Sequence, residues 1–489
     1  METPPFQDRF ARPATHDLKR KSVRGAIVIV AAQVAKVVMG AGTLVLLARL
    51  LSPEDFGLAG MAATLTNFLS MFRDAGLSAA TVQRLEVTHG QVSTLFWINL
   101  AVGVGLSLCT VLLAPVLVHF YGNPELYWLV IVSGASFLFS GLGAQHAALL
   151  AREMRFVTRA RIDLIALAAA SASGVAMALL GFRYWSVVGM GLVASIVTAT
   201  GLLMAHPWAP GLPQRGAGVQ SMLRFGALAS CNSFLVFLLE NSDNILLGRF
   251  WGAQVLGIYS RAYQLATFPV EQLTWTLSGV AVAGLSAIQN DADRLSRSFL
   301  RGYSLLVSAT VPIAICCPLF ADEIIRVLLG EKWIEAAPIF RLLAPTSLAF
   351  ALANPLSYLM SAKGQIGRSV CIKAATTPVV IVGILIGLSH GPTGVAIGYS
   401  VAMGLIVIPI MAWSKHGTGI TWSDIWGSIK KPLAAGLLSG VAGLGAKVVF
   451  GAAFAPILVL AIGVALVSGV YIVALLAMGE RRLLSGIFG

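Results

Sequence analysis

Long apolar segments, separated by short polar stretches, occupy most of this 489-residue chain. Each segment has about 20 residues or more, the length that an α-helix needs to cross roughly 30 Å of hydrocarbon. The segments fall near 25–48, 57–82, 93–118, 126–150, 160–181, 184–205, 223–248, 256–286, 300–321, 335–361, 367–388, 393–413, 432–450 and 454–477. The pattern predicts an all-α, polytopic membrane protein with about 14 transmembrane helices.

A short pattern occurs twice, at an offset of 200 residues (46–58 and 246–258). The identical pairs are Leu46 and Leu246, Leu47 and Leu247, Arg49 and Arg249, and Gly57 and Gly257. Each copy ends one long apolar helix and begins another, and in the first copy Pro53 breaks the run. We therefore expect two six-helix repeats followed by a C-terminal helix pair. Paired halves around a central site are typical of membrane transporters.

The distribution of basic residues predicts which side of the membrane each connection faces. If the N-terminus is cytoplasmic, most of the 34 Lys and Arg residues lie on the cytoplasmic side, as the positive-inside rule requires. The net charge of +13 then belongs to loops that face anionic lipid, not to a surface that binds nucleic acid. The predicted parts are a basic cytoplasmic tail (1–24), an N-terminal half (25–205), a cytoplasmic linker (206–222), a C-terminal half (223–413), a cytoplasmic loop (414–431), and the extra helix pair with a cytoplasmic tail (432–489).

Composition excludes a soluble protein and argues against an enzyme. The mean hydropathy is +0.83 and only 11% of residues are charged, against about a quarter in soluble domains. The chain has no Gly-Lys-Ser/Thr phosphate-binding loop, and its five cysteines lie in predicted spans without the spacing of a metal site. No connection is long enough for an extramembrane catalytic domain. We expect a transporter with no catalytic residue, no metal and no cofactor.

Charged residues inside the predicted spans are the candidates for a substrate path. A charge at the bilayer centre costs about 2.5–3.5 kcal/mol, so such residues should face a hydrated interior or a partner. The candidates are Lys36, Arg73, Asp74, Arg261 and Glu271. They lie on the first two helices of each half, which suggests a polar cavity between the halves. Arg261 lies near its helix end and could instead extend to the interface.

Glu240 and Asp243 are three residues apart and carry the same charge. Without a cation nearby, one of them should tend to hold a proton, which could couple transport to an ion gradient. The alternative is a structural ion pair with Lys36 or Arg261. We therefore consider both residues for ion coupling.

Two blocks of sequence carry a family resemblance. Residues 243–266 read DNILLGRFWGAQVLGIYSRAYQLA and are followed by Pro269, and residues 48–58 read ARLLSPEDFGL, with DAGL at 74–77 and VQR at 82–84. Both blocks are similar to bacterial Wzx-type polysaccharide flippases. These belong to the polysaccharide-transporter branch of the MOP superfamily, which also contains MATE exporters and lipid II flippases.

The resemblance implies a MATE-like fold and an inner-membrane location. It implies a flippase that moves undecaprenyl-pyrophosphate-linked oligosaccharide units from the cytoplasmic to the periplasmic leaflet by alternating access. Such flippases serve exopolysaccharide, capsule or O-antigen biosynthesis, and a polysaccharide polymerase and chain-length or export proteins are then possible partners. The resemblance supplies no residue roles, so the candidates above rest on their depth and helix face.

Two other functions fit part of the sequence. A MATE-like multidrug or cation antiporter would have an acidic lumen, whereas basic residues here rival the acidic ones. A membrane polymerase or ligase acting on the same lipid-linked sugars would need a substantial periplasmic loop, which this chain lacks.

Overall fold

The computed structural model describes residues 18–73, 81–82, 87–213, 220–451 and 453–480, and no β-strand occurs among them. The helices are α1 (Leu18–Leu50), α2 (Pro53–Ser70), α3 (His89–Tyr121), α4 (Leu126–Gly134), α5 (Ser136–Arg152), α6 (Phe156–Leu179), α7 (Trp185–Ala205), α8 (Gln220–Ala287), α9 (Ala292–Leu319), α10 (Ala321–Leu328), α11 (Ala336–Leu343), α12 (Thr346–Ala362), α13 (Ile366–Leu388), α14 (Gly391–Lys415), α15 (Trp422–Phe450) and α16 (Pro456–Ala477). The predicted all-α class is confirmed.

Eleven of these helical stretches, within the described residues, are long and apolar enough to cross a membrane. The predicted count of 14 is therefore not confirmed. The three predicted segments outside the eleven are 57–82, 223–248 and 256–286, which correspond to α2 and to the two parts of α8. Of the candidates noted above, α8 carries Glu240, Asp243, Arg261 and Glu271, and α2 begins with the charged pair Glu54 and Asp55. Charged side chains lower the hydropathy of a helix that spans a membrane.

Both copies of the repeated pattern coincide with a break between helices. In the first copy, the Ser52 hydroxyl accepts the Asp55 N–H (3.2 Å) and the Asp55 carboxylate accepts the Ser52 N–H (2.9 Å), which caps α2. In the second copy, Gly252 has φ 81° and ψ −179° and bends α8, a conformation that favours glycine. We call the segments before and after Gly252 α8a and α8b.

The chain divides into two compact units, Met1–Gln254 and Val255–Gly489. The first unit contains α1 to α7 and α8a, and the second contains α8b and α9 to α16. In the first unit, the Phe68 ring of α2 contacts the Phe234 and Phe237 rings of α8a, with centroids 6.3 and 5.5 Å apart. The bounds 25–205 and 223–413, derived from the sequence repeat, stay a prediction.

The two units share a backbone feature at an offset of 210 residues (154 and 364). The turn between α5 and α6 has Met154 at φ 55°, and the turn between α12 and α13 has Gly364 at φ 68°. The Arg155 N–H donates to the Leu150 carbonyl at 2.9 Å, and the Gln365 N–H donates to the Met360 carbonyl, also at 2.9 Å. The same hydrogen bond also ends α6, where Gly181 has φ 82° and the Phe182 N–H donates to the Met177 carbonyl at 3.0 Å, so it marks a common type of helix end and is not evidence for the repeat.

The last two helices belong to the core of the second unit. The Lys447 ammonium at the end of α15 donates to the Leu319 carbonyl (2.7 Å) and pairs with Glu323 (3.1 Å). The Tyr471 hydroxyl on α16 donates to the Ser308 carbonyl of α9 at 2.9 Å. The Lys447 and Tyr471 side chains thus each donate a hydrogen bond to a backbone carbonyl of α9. Such hydrogen bonds between helices allow polar side chains to lie in apolar surroundings.

Helices α13 and α14 approach each other through glycines. A Cβ atom at Gly398 would lie 2.0 Å from the Gly383 carbonyl oxygen, and one at Gly387 would lie 2.1 Å from the Gly394 carbonyl oxygen. Real Cβ atoms do not come this close, so any side chain here must separate the helices. Small residues at such crossings permit close packing in lipid.

We predict that Gly398→Val lowers the melting temperature of the purified protein, because the added side chain must displace backbone. The matched control is Gly404→Val on the same helix, where a Cβ atom would meet nothing within 4 Å. Thermal unfolding in detergent checks the prediction. Equal melting temperatures for the two variants would contradict it.

Candidate substrate-binding cavity

A cavity of about 350 Å³ lies in the first unit. Two helices line it with mostly small residues at spacings of three and four, which places each set on one helix face. The lining residues are Phe139, Ser140, Gly143, Ala144 and Ala147 of α5, Ala194, Ser195, Thr198, Ala199 and Leu202 of α7, and Arg73 and Arg159. Small side chains leave the space open, and the hydroxyls with two guanidinium groups make it polar.

Arg73 reaches the cavity from the turn that follows α2. This helix ends at Ser70, and the Arg73 N–H then donates to the Ser70 carbonyl at 3.1 Å. The sequence placed Arg73 inside a span over 57–82, so the structure moves it from a helix interior to an exposed turn. Among the residues that the structure describes, no carboxylate pairs with it. Asp74, predicted beside it, lies outside the described residues.

Arg159 enters the cavity from the second turn of α6. Its Nε lies 2.9 Å from the Asp163 Oδ1, an ion pair between positions i and i+4 of one helix. The predicted spans 126–150 and 160–181 leave Arg159 in the connection between them, whereas α6 begins at Phe156. Asp163 already lay in the predicted span 160–181, and its i, i+4 spacing from Arg159 was a signal that the helix begins before Arg159.

Asp163 also connects α6 to α1. Its Oδ2 lies 3.1 Å from the Lys36 Nζ, and the two side chains are 27% and 26% exposed. Lys36, a candidate from the sequence, thus belongs to the same charged cluster as Arg159. We call Lys36, Arg73, Arg159 and Asp163 the cavity cluster. With three cations and one carboxylate, its formal charge is +2 at neutral pH.

The other sequence candidates lie on α8. Glu240 and Asp243 are on α8a in the first unit, where Glu240 is exposed and Asp243 is buried, with its carboxylate accepting the Asn244 N–H at 2.8 Å. Arg261 and Glu271 are on α8b in the second unit; Arg261 is partly buried and hydrogen-bonds Gln264, and Glu271 is exposed. Their predicted roles in the substrate path or in ion coupling stay predictions.

A second cavity, of about 370 Å³, lies in the second unit and is different in character. It is formed by α8b, α9 and α12, and none of the described residues that line it is charged. Its polar groups are a few hydroxyls, of which the Tyr303 hydroxyl donates to the Leu352 carbonyl at 3.0 Å. Of the two cavities, only the one in the first unit presents cations to a ligand.

No metal site accompanies this arrangement in the described part of the chain, where no three His, Cys, Asp or Glu side chains are grouped closely enough to hold an ion. Cys109, Cys316, Cys317 and Cys371 are free thiols. The polar side-chain groups that line the first cavity are the guanidinium groups of Arg73 and Arg159 and the hydroxyls of Ser140, Ser195 and Thr198, beside apolar and small residues. Guanidinium groups bind phosphates through two parallel hydrogen bonds.

Comparison with known proteins defines the class of the fold. The structure of the lipid II flippase MurJ in an inward closed conformation superposes with a TM-score of 0.75, at 14% identity, over 94% of this chain and 100% of that one. The chain thus has the fold of a multi-pass membrane transporter, and the predicted MATE-like architecture is confirmed.

Sequence comparison defines the family. Residues 46–338 match the model of the family described as "Polysaccharide biosynthesis protein", and the chain belongs to that family. It is 26% identical over 389 residues to the lipopolysaccharide biosynthesis protein WzxC of Escherichia coli (strain K12), covering 78% of each chain. It is 27% identical over 352 residues to the succinoglycan biosynthesis transport protein ExoT of Rhizobium meliloti (strain 1021), covering 71% of each. The resemblance to Wzx-type polysaccharide flippases is confirmed.

We predict that a cysteine at Ser195, in a chain without its native cysteines, reacts with water-soluble thiol reagents. The nearby guanidinium groups should favour an anionic reagent over a cationic one by about three- to tenfold, relative to a free thiol in solution. Arg73→Ala and Arg159→Ala should reduce that preference. Labelling rates measured by mass spectrometry check both statements.

The control for this labelling is Ile165→Cys, because Ile165 on α6 is 61% exposed and does not line the cavity. In a membrane it should react with lipid-soluble maleimides in preference to water-soluble reagents. A Ser195→Cys variant that behaves like this control would show that the cavity is not hydrated.

Proposed function

We propose that this protein is a flippase that moves lipid-linked oligosaccharides, with the phosphate headgroup held by the cavity cluster. The observation that supports it is the pair of guanidinium groups, Arg73 and Arg159, in a cavity lined by hydroxyls and small residues. The fold and the family of the chain are those of membrane transporters and polysaccharide biosynthesis proteins.

Electrostatics explains why such a substrate needs this cavity. A pyrophosphate with attached sugars cannot enter hydrocarbon, because each charge and each hydroxyl would lose its hydration. Cations and hydroxyls along the path replace that hydration while a polyprenyl tail stays in lipid. Arg73 and Arg159 supply the cations, and Ser140, Ser195 and Thr198 supply hydroxyls for sugar groups.

The proposal also includes the chemical identity of the substrate and the orientation of the protein in the membrane. The substrate is an undecaprenyl-pyrophosphate-linked repeat unit, moved from the cytoplasmic to the periplasmic leaflet of the inner membrane by alternating access. Both termini are cytoplasmic, since that orientation places most Lys and Arg residues inside. A polysaccharide polymerase and chain-length or export proteins would use the product.

The cavity also bears on the alternative of a MATE-like exporter of cationic compounds. A formal charge of +2 in the cavity cluster repels a cationic substrate and attracts a phosphate. An exporter of that kind would confer drug resistance on a susceptible strain, and this proposal expects none. Glu240, Asp243, Arg261 and Glu271 remain proposed contributors to coupling or to the path, to be tested singly.

We predict that Arg73→Ala and Arg159→Ala each fail to restore surface polysaccharide fully in a flippase-deficient strain. Each variant loses a charge-assisted hydrogen bond, worth about 1.5–3 kcal/mol, which corresponds to about 10- to 100-fold weaker headgroup binding. Lipid-linked units should accumulate on the cytoplasmic side. Surface polysaccharide, membrane abundance of the variant and accessibility of the lipid-linked units are the measurements.

Two controls make the result specific to the cavity. Arg326→Ala removes an arginine from the second unit, where it pairs with the exposed Glu331, and should leave polysaccharide unchanged. Arg73→Lys and Arg159→Lys keep the charge and should retain more function than the alanine variants. Normal polysaccharide in both alanine variants would exclude the cavity from the path.

A further inference from the structure

Asp163 is the one carboxylate of the cavity cluster, and both of its oxygens are engaged. Oδ1 pairs with the Arg159 Nε at 2.9 Å and Oδ2 pairs with the Lys36 Nζ at 3.1 Å. The two cations come from different helices, α6 and α1. Asp163 therefore neutralises one charge beside a cavity whose remaining groups are cationic or neutral.

The geometry leaves part of Arg159 available to a ligand. The pair with Asp163 uses Nε, so the edge of the guanidinium that carries the two Nη atoms is not used by that ion pair. The Arg159 side chain is 39% exposed and lines the cavity. A phosphate can bind this edge through two hydrogen bonds while the carboxylate remains on the other side.

We propose that Asp163 is the resident counterion of the cavity. When no substrate is bound it neutralises Lys36 and Arg159, and when an anionic phosphate headgroup enters it weakens the hold of the cavity on that headgroup. This inference rests on the proposed function, because it assumes that the cavity binds a phosphate. It assigns to Asp163 control of substrate release, without contact between Asp163 and the substrate.

Two physical requirements support this role. Partly buried cations without a counterion carry a desolvation penalty, so an unloaded cavity needs an internal anion. A transported ligand must also bind weakly enough to leave, and a cavity with three uncompensated cations would retain any phosphate compound. One carboxylate shared between two cations meets both requirements at once.

The alternative is that Asp163 only joins α1 to α6. A purely structural pair would lower thermal stability when either partner is replaced, and any change in ligand affinity would have the same sign in both variants. The counterion role predicts affinity changes of opposite sign. Asp163→Asn removes the competing anion, whereas Lys36→Met leaves Asp163 to hold Arg159 alone.

The test measures binding of inorganic pyrophosphate to the purified full-length protein in nanodiscs. We expect Asp163→Asn to bind pyrophosphate about tenfold more tightly than the wild-type protein, and Lys36→Met to bind it several-fold more weakly. In the flippase-deficient strain, Asp163→Asn should yield less surface polysaccharide in spite of its tighter binding.

Glu153→Gln is the matched control. It removes a carboxylate of the same unit that pairs with Arg155 and His206 and does not line the cavity. Its affinity should stay within about twofold of the wild-type value.

The outcomes separate the two proposals. Equal or weaker pyrophosphate binding in Asp163→Asn, with binding by the wild-type protein intact, would overturn the counterion role alone. Weaker binding in both Asp163→Asn and Lys36→Met would support a structural pair instead. Absence of binding by the wild-type protein would overturn the cavity as a phosphate site, and with it this inference. If Asp163→Asn does not fold, Lys36→Met still tests the counterion role, because unchanged or tighter pyrophosphate binding in that variant would contradict it.

Discussion

The free-energy cost of removing a charge from water constrains every ionisable side chain in this chain. At the ends of helices the charges are satisfied by neighbouring polar groups. Lys447 contacts the Leu319 carbonyl and Glu323, and Asp55 caps α2 while its second oxygen pairs with Arg183 at 3.2 Å. In each case the charged side chain forms hydrogen bonds or ion pairs at a helix end, and these contacts stabilise the structure. Few hydrogen-bonding groups of the side chain then remain for a ligand.

The cavity cluster follows the same constraint with a different result. Asp163 balances part of the charge of Lys36 and Arg159, and Arg73 has no carboxylate partner among the described residues. A surplus of positive charge beside a polar cavity is unfavourable unless water or an anion occupies the cavity. The surplus of positive charge in the cluster, more than the number of its arginines, distinguishes it from the paired charges described above and is the basis for proposing that it binds a phosphate.

Apolar runs and the 200-residue repeat were sufficient to predict the all-α membrane fold, because span length and helix breaks are local properties of sequence. The charged cluster was predictable only in part. Lys36 was found because it lies deep in an apolar run. Arg159 was missed because it lies in a basic stretch that resembles a loop, and Asp163, although inside the predicted span 160–181, was not singled out as a candidate. The position of Arg73 after α2 depends on where that helix ends, and hydropathy does not define such an end. The ion pair between Lys36 of α1 and Asp163 of α6 is a tertiary contact, and no local pattern in the sequence predicts it.

The predicted repeat can be compared with the charges of the cavity cluster, which lie in the first unit. The turns at Met154 and Gly364 have the same hydrogen bonds, and α6 and α13 begin 210 residues apart, at Phe156 and Ile366. At the positions equivalent to Arg159 and Asp163, the second unit has Ser369 and Lys373. If the predicted repeat holds, a carboxylate in one copy corresponds to an ammonium in the other. Helix packing is governed by small and apolar residues, so it tolerates exchange of these partly exposed side chains. A transporter with the predicted pair of halves would then have the proposed anion-binding chemistry in one of them.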